Sequence, residues 1–545
     1  MPRLLWRYTC VELLKVMLLT TTVLVVVIAF GATIKPLVQN QIDPLDVGKY
    51  AFFASVPMLQ FALPFSAGFA ATIVMHRMVT DNEVLVMSVS GVPYRRIFAP
   101  AIVLGIILTL VMLVLVNFVI PRFWGMLQEM VARDVTRVFT ASIERGEAIS
   151  IDGTQLFADE VIVPDALPDT GADQRLILLG VAALELDDRG VPRSEFTARY
   201  ATIDIYHQTE DTLLKLALVD ATIYRPEDGS LIFVPSAMPE AVRLQRDITS
   251  GPKTKTLPEL LRLRYDSNDY PYIAREREQI QSELVATDLW NCLTLQWEST
   301  AKLDFYSDQG IDRISISDLR INQSVLEGAP LIRLIQYEDD EPIRRATASK
   351  ATLSLSKASQ TDVPAFQLLV PDAEAFDLRG RRELRARWPD RLRSLQLPGC
   401  QPVDRSEFSS QQLIEAARAP LPAGSFGPTV TLQSELGRLA DRLVREERNL
   451  DLEIIARILH RIAQSLTVIL LLMMGAVLAV LLRNALPLTI YGLAFIPAVI
   501  DILLISGGEQ MVKYGDPISG SLLMFSGNLM MLLIIMLAWY RLARN

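Results

Sequence analysis

Six apolar runs, grouped at the two ends of the chain, constrain it more than any other feature. Crossing roughly 30 Å of hydrocarbon takes about 20 helical residues. Residues 16–34, 51–75 and 97–121 carry no charged side chain. The next such stretches are 462–482, 484–508, which is interrupted only by Asp501, and 517–540. Hydrophobic residues make up 50% of the 545, yet the chain also holds 53 Lys+Arg and 62 Asp+Glu. Apolar and charged residues are therefore segregated, and the pattern predicts three membrane helices, a large water-exposed middle and three more helices. The first run is too long for a cleavable signal, lacks a small-residue cleavage site and is followed at once by another span, so it is expected to stay.

Orientation follows from positive residues in the short connections, which are held on the cytoplasmic side. With the N-terminus inside, the inner set is Arg3, Arg7, Arg77, Arg95, Arg96, Arg483, Arg541 and Arg544, against Lys35, Lys49 and Lys513 outside. Both termini are thus expected in the cytoplasm and residues 122–456 outside it. The net charge of −9 arises largely in that external segment and argues against a nucleic-acid partner. Cys10 falls at the inner end of the first span; only Cys292 and Cys400 are external, where a disulfide is permitted and the sequence leaves it open. His76, His207 and His460 are scattered, so no metal site is expected.

The middle of the chain changes from helical to alternating periodicity. Segments 197–206 (TARYATIDIY) and 213–224 (LLKLALVDATIY) read as strands of a meander. A second set follows in the same order: 176–189 matches 331–342, 196–205 matches 346–355, and 214–229 matches 366–380. This predicts an inserted all-β region of jelly-roll or β-sandwich type in two modules. The expected divisions are 1–121 for the first helix group, 122–297 for module 1 with a helical linker, 298–430 for module 2, 431–461 for a connecting helix and 462–545 for the last spans. Helices are expected at 257–264, 274–287 and 432–460. In the last of these, Glu453, Arg457 and Arg461 follow one another at i, i+4 along one face.

No GxxxxGK[ST], GxSxG or HExxH segment occurs, so neither ATP hydrolysis nor hydrolytic catalysis is expected of this polypeptide. The more informative segment is the inner connection 76–97, HRMVTDNEVLVMSVSGVPYRRI. Thr80 or Asp81 can cap a short helix with Glu83 in its first turn. Val84, Leu85, Met87 and Ser88 would supply an apolar face, Gly91 and Pro93 end the helix, and Arg95 and Arg96 meet lipid headgroups. A short amphipathic helix of this kind suits either a groove in a cytosolic ATPase or a plain interfacial connector.

This loop, the preceding ALPFSAGFAATIVM, the opening Arg7-Tyr8, LHRIAQSL at the fourth span, and SGGEQ followed by SGNLMMLLIIMLAWYRL together resemble the LptF/LptG (YjgP/YjgQ) permease family of lipopolysaccharide export. The resemblance implies a permease half in the inner membrane of a Gram-negative-type envelope, with the β region in the periplasm. It would pair with a sister LptF/LptG-type permease, as a heterodimer or homodimer, and with a cytosolic ABC ATPase dimer. It would lift a lipid from the membrane and pass it to a periplasmic jelly-roll bridge protein. The resemblance also implies an ATPase-coupling role for Asp81, Glu83, Leu85, Met87, Gly91, Arg95 and Arg96. Lys35 would contact lipid, Arg461 would stand at the start of the fourth span, and spans one and five would line the lipid cavity. The chain itself is expected to hold no cofactor, ATP and Mg belonging to the partner ATPase.

The external segment is about twice what that family pattern needs. Two rivals follow: a transmission permease that bends its external domain to regulate a periplasmic partner, or an exporter of another lipid. A membrane-tethered periplasmic enzyme is a third class, but no cluster of convergent ionisable groups supports it. Asp501, inside the fifth span, would be costly against lipid and is expected to face the bundle or the outer interface.

Overall fold

The computed structural model describes residues 3–38, 47–132 and 142–245 except 144–145, 147, 152–153, 165–171, 187–191, 208–210, 226–229 and 238–241. It further describes 251–420 except 308–310, 323–324, 339–340, 356–363 and 380–383, and then 429–544. Two compact units divide it, residues 1–265 with 451–545 and residues 266–450.

In the first unit α1 (Arg3–Val38) and α2 (Val47–Thr80) precede the short α3 (Glu83–Val89) and α4 (Tyr94–Ile97). α5 (Ala99–Val114) continues through a π-helical turn, Leu115–Val119, into α6 (Ile120–Ala132). After a β region and α7 (Leu257–Tyr265), the second unit contributes α8 (Pro271–Thr300) and α9 (Ser410–Arg418). α10 (Thr429–Leu481), α11 (Pro487–Lys513) and α12 (Pro517–Arg544) follow. Among the described residues, six helical stretches are long and apolar enough to cross a membrane: Trp6–Val38, Val47–Thr80, Ala99–Gln128, Thr431–Leu481, Pro487–Lys513 and Pro517–Arg544. The connecting helix and the fourth span form one continuous helix, α10.

Without a hydrophobic drive between helices in lipid, packing depends on small residues that let backbones approach. α2 buries Ala62, Ser66, Ala67, Gly68, Ala70, Ala71 and Thr72. A Cβ on Gly475 of α10 would lie 2.5 Å from the Gly68 carbonyl oxygen, so only glycine allows this approach. α11 and α12 meet in the same way, with a Cβ on Gly508 falling 2.5 Å from the Gly520 carbonyl oxygen. At the opposite extreme α1 leaves Leu18, Leu19, Val23, Val26, Val27 and Phe30 exposed, as a helix facing lipid or another subunit would.

The same unit holds an eight-stranded antiparallel sheet made of β1 (Ile149–Ile151), β2 (Thr154–Phe157), β3 (Glu160–Ile162), β4 (Gln174–Leu186), β5 (Pro192–His207), β6 (Asp211–Arg225), β7 (Ser230–Ala237) and β8 (Val242–Gln245). Its path runs β1-β2-β4-β5-β6-β7, with β3 also on β4 and β8 also on β6. The buried residues of β4 are Leu176 and Leu178, then Val181 and Ala183. The alternation slips by one residue at Gly180, whose φ of 60° turns the strand so that both halves face the core while the pairing with β5 keeps its register. Asp220, with φ 52°, marks the corresponding slip in β6, between Leu218 and Ala221.

The second unit contains another eight-stranded sheet, of β9 (Leu303–Ser307), β10 (Ile311–Asn322), β11 (Val325–Glu338), β12 (Glu341–Leu355), β13 (Phe366–Leu369), β14 (Glu374–Asp377), β15 (Leu384–Ala386) and β16 (Arg391–Gln396). The path β11-β10-β9-β16-β13-β12 closes on itself through β11–β12 pairing, leaving β14 and β15 as a flap on β12. Trp290 of α8 and Phe305 of β9 both stack edge-on against Phe366, with centroids 5.3 and 5.6 Å away. Cys292 of α8 is disulfide-bonded to Cys400, resolving the pairing that the sequence left open. Beside that bond, Arg405 grips Asp288 of α8 through Nη1 at 2.6 Å and Nη2 at 3.0 Å.

Candidate functional site

Three features of the first unit bear on function: the α3 loop, two polar clusters on α11, and a cavity flanked by α2, the α5–α6 helix and α10.

The loop corrects the expected cap. Thr80 ends α2 and donates back to the His76 carbonyl, while Asn82, at φ 57°, occupies the N-cap of α3 without a side-chain cap bond. Glu83 opens the helix and Gly91, at φ 80°, follows its end. The apolar face is corrected too. Residues three apart share a helix face, so Val84 and Met87 pack into the bundle core, whereas Leu85, Val86 and Val89 point outward and are exposed. Asp81, Arg95 and Arg96 are exposed on either side of α3. Phe98, fully buried, stacks edge-on against Trp539 of α12 at 5.3 Å and ties the loop to the bundle. At the same end Arg77 of α2 donates to Glu12 at 3.0 Å and to Tyr8 at 3.3 Å, joining the Arg7-Tyr8 segment to α2.

On α11, Asp501 and Glu509 are both buried. Thr467 of α10 donates to Asp501 Oδ2 at 2.7 Å, and Asn528 of α12 sits beside it, donating its amide to the Ala463 carbonyl at 3.2 Å. Asp501 therefore faces the bundle. Glu509 takes a different environment: Arg457 Nη1 and Lys513 Nζ each lie 3.1 Å from its Oε1, and His460 Nδ1 lies 2.7 Å from its Oε2. Lys513 also lies 3.4 Å from Glu453, and Arg457 4.0 Å from that residue. The expected charge row on α10 is thus partly corrected. Arg457 pairs across to α11, while Arg461 leaves the row and donates Nη2 to the Lys255 carbonyl at 2.8 Å, because two like charges four residues apart repel.

The cavity has a volume of about 340 Å³. Met58, Phe61, Val116, Ile120, Pro121 and Trp124 supply an apolar wall, facing a polar one of Lys253, Arg457, His460, Arg461, Gln464 and Gln60. Val116 belongs to the π-helical turn, which shifts the helix register beside the cavity. Lys253 is exposed at the mouth, with its ammonium 3.6 Å from the Trp124 ring centroid. Lost hydration there, and next the positive charge of Arg457, push that ammonium below the usual lysine value; Glu509 opposes this and Lys513 adds to it. Among the described residues, none of the lining comes from α1 or α11, the helices expected to line a lipid cavity.

The structure brings Arg461 and Asp501 into the bundle in separate environments and keeps the loop residues together at α3 and α4. Lys35 falls in α1 just before Pro36, and its side chain lies outside the described residues. Sequence reasoning missed Glu509, His460, Lys513 and Lys253. In the sequence Glu509 belongs to the SGGEQ segment as family pattern only, and His460 reads as one of three scattered histidines.

The helices and sheets define the class: a helical, multi-pass membrane protein with a β domain. Residues 7–229 match the family Lipopolysaccharide export system permease LptF/LptG, a family of transport permeases. The matched part runs from α1 through β6; the LHRIAQSL and SGGEQ segments, on which the resemblance also drew, lie beyond it. No curated protein matches the chain.

Proposed function

We propose that this chain is one permease half of an ABC-type exporter that takes lipopolysaccharide, or a related lipid, from the inner membrane and passes it to a periplasmic jelly-roll bridge. The observation that carries this reading is the family match over residues 7–229, which takes in the first three long apolar helices and most of the first sheet. The six helices then span the membrane as three and three, with both termini cytoplasmic and both sheets periplasmic. The Cys292–Cys400 disulfide supports an oxidising location for the second unit. We read the two sheets as a duplicated β-module, since the β4–β5 and β11–β12 hairpins fall on the repeated segments and β6 corresponds to β13 and β14, split at Pro371.

Force would enter at α3. Its outward Leu85, Val86 and Val89, with Glu83 at the start of the helix, form the surface offered to a cytosolic ATPase dimer that binds ATP and Mg. The sister permease would complete the lipid cavity against α1 and α11, whose exposed apolar faces suit acyl chains. Lys35 would stand at its rim.

Replacing Glu83 with Lys reverses the charge at the start of α3. The expected result is loss of ATPase co-purification, or ATP turnover no longer responsive to lipid; unchanged co-purification and turnover would overturn the coupling role. Photo-crosslinking from position 35 identifies the lipid, and recovery of ordinary phospholipid alone would count against lipopolysaccharide.

A further inference from the structure

We propose that the cavity flanked by α2, the α5–α6 helix and α10 binds a phosphate-bearing group, as a site separate from the route of the exported lipid. Four basic side chains converge on it, from Lys253, Arg457, His460 and Arg461. Among the described residues, the acidic groups paired with this set are Glu509, already shared among Arg457, His460 and Lys513, and Glu453, 4.0 Å from Arg457 and also held by Lys513. Arg461 is 4% exposed, and among the described residues it has no carboxylate partner. Its Nη2 is used on the Lys255 carbonyl, while Nη1 has no hydrogen-bond partner. Arg457 Nε and Gln464 Oε1, on the same wall, also lack one.

A guanidinium held in an apolar setting with an open N–H is suited to an oxyanion with several acceptor oxygens, and phosphate fits this better than a single carbonyl. Gln464 adds an acceptor for a hydroxyl, as on glycerol. At roughly 30 Å³ per water the cavity corresponds to about 11 waters. That holds a phosphodiester with its glycerol but not the body of a many-chained lipid. The apolar wall of Met58, Phe61, Val116 and Ile120 suits the first methylenes of an acyl chain. Since none of the lining among the described residues comes from α1 or α11, the site does not depend on the cavity proposed for export.

The test uses the full-length protein, delipidated in detergent and titrated with dioleoyl phosphatidylglycerol, dioleoylglycerol or inorganic phosphate, with Trp124 fluorescence and Tm as readouts. Phosphatidylglycerol is expected to saturate and raise Tm, while dioleoylglycerol does neither. Arg461→Gln is expected to weaken binding roughly 10- to 100-fold, the range of a charge-assisted hydrogen bond. Lys253→Met, at the exposed mouth, weakens it by a smaller factor and tests the site even if the Arg461 variant fails to fold. Trp124→Phe removes the fluorescence change but keeps the Tm shift. Competition by inorganic phosphate would support the shared chemistry and assign the ligand to free phosphate; its failure to compete assigns the ligand to lipid. Equal effects of dioleoylglycerol and phosphatidylglycerol, or wild-type binding by Lys253→Met and any folded Arg461→Gln protein, overturn the proposal. Glu83→Lys protein that loses its ATPase but still binds phosphatidylglycerol separates this site from the coupling reading.

Discussion

Asp501 and Glu509 stand eight residues apart on α11, about 12 Å along the helix axis, and both are buried; the molecule surrounds them by opposite means. Asp501 has a hydroxyl and an amide for neighbours and no cation among the described residues, whereas Glu509 gathers an arginine, a histidine and a lysine. The first solution needs close helix packing; the second needs charge balance. A polar group in the middle of an apolar bundle costs least when short partners reach it across a narrow gap. Near a helix end, long cationic side chains can reach in while keeping part of their length near water. Position along one helix thus decides which kind of partner an acidic residue can have.

The largest expected effect is at Glu509. Replacing it with Gln leaves Arg457, His460 and Lys513 facing one another without an anion, and removing one side of a buried charge set costs about 3–5 kcal/mol. Unfolding in detergent followed by intrinsic fluorescence should show this loss, and a cost below that of the Asp501 changes would erase the distinction. An intermediate effect is expected for Gly527→Ala. A Cβ there would meet Asp501 Oδ1 at 2.4 Å and its Cα at 2.7 Å, so α11 and α12 must separate. Overpacking of this kind costs about 1–3 kcal/mol, visible as a lower Tm. The smallest change is expected for Asp501→Asn, which keeps an acceptor for Thr467 and adds no bulk; its stability should stay within about 1 kcal/mol of the parent. A large loss there would show that the cation-free Asp501 cluster depends on the carboxylate charge.

Much of this organisation was legible in the sequence because it depends on local composition. Uncharged runs of membrane length need no partner to be recognised, and the Gly91-Val92-Pro93 stop ends α3 wherever the chain is placed. Strand periodicity marked the β4–β5 and β11–β12 hairpins for the same reason. The slips at Gly180 and Asp220 were harder to see, since a positive φ inside a strand reveals itself only when the strand is folded and paired.

What the sequence alone determined is therefore the apolar helices, the β-rich middle and the short loop helix. Tertiary structure decided which face of α3 is buried, because Val84 and Met87 are selected by the core they meet and Leu85 is left outside. It also decided the partners of Glu509, which come from α10 as well as α11, and it gathered the cavity from α2, the α5–α6 helix, α10 and the Lys253 segment. Those groupings join residues as far as 404 positions apart, as Gln464 and the Gln60 carbonyl show at 3.4 Å. Periodicity reports only what a residue's own helix does, so such pairings become visible only when the helices pack.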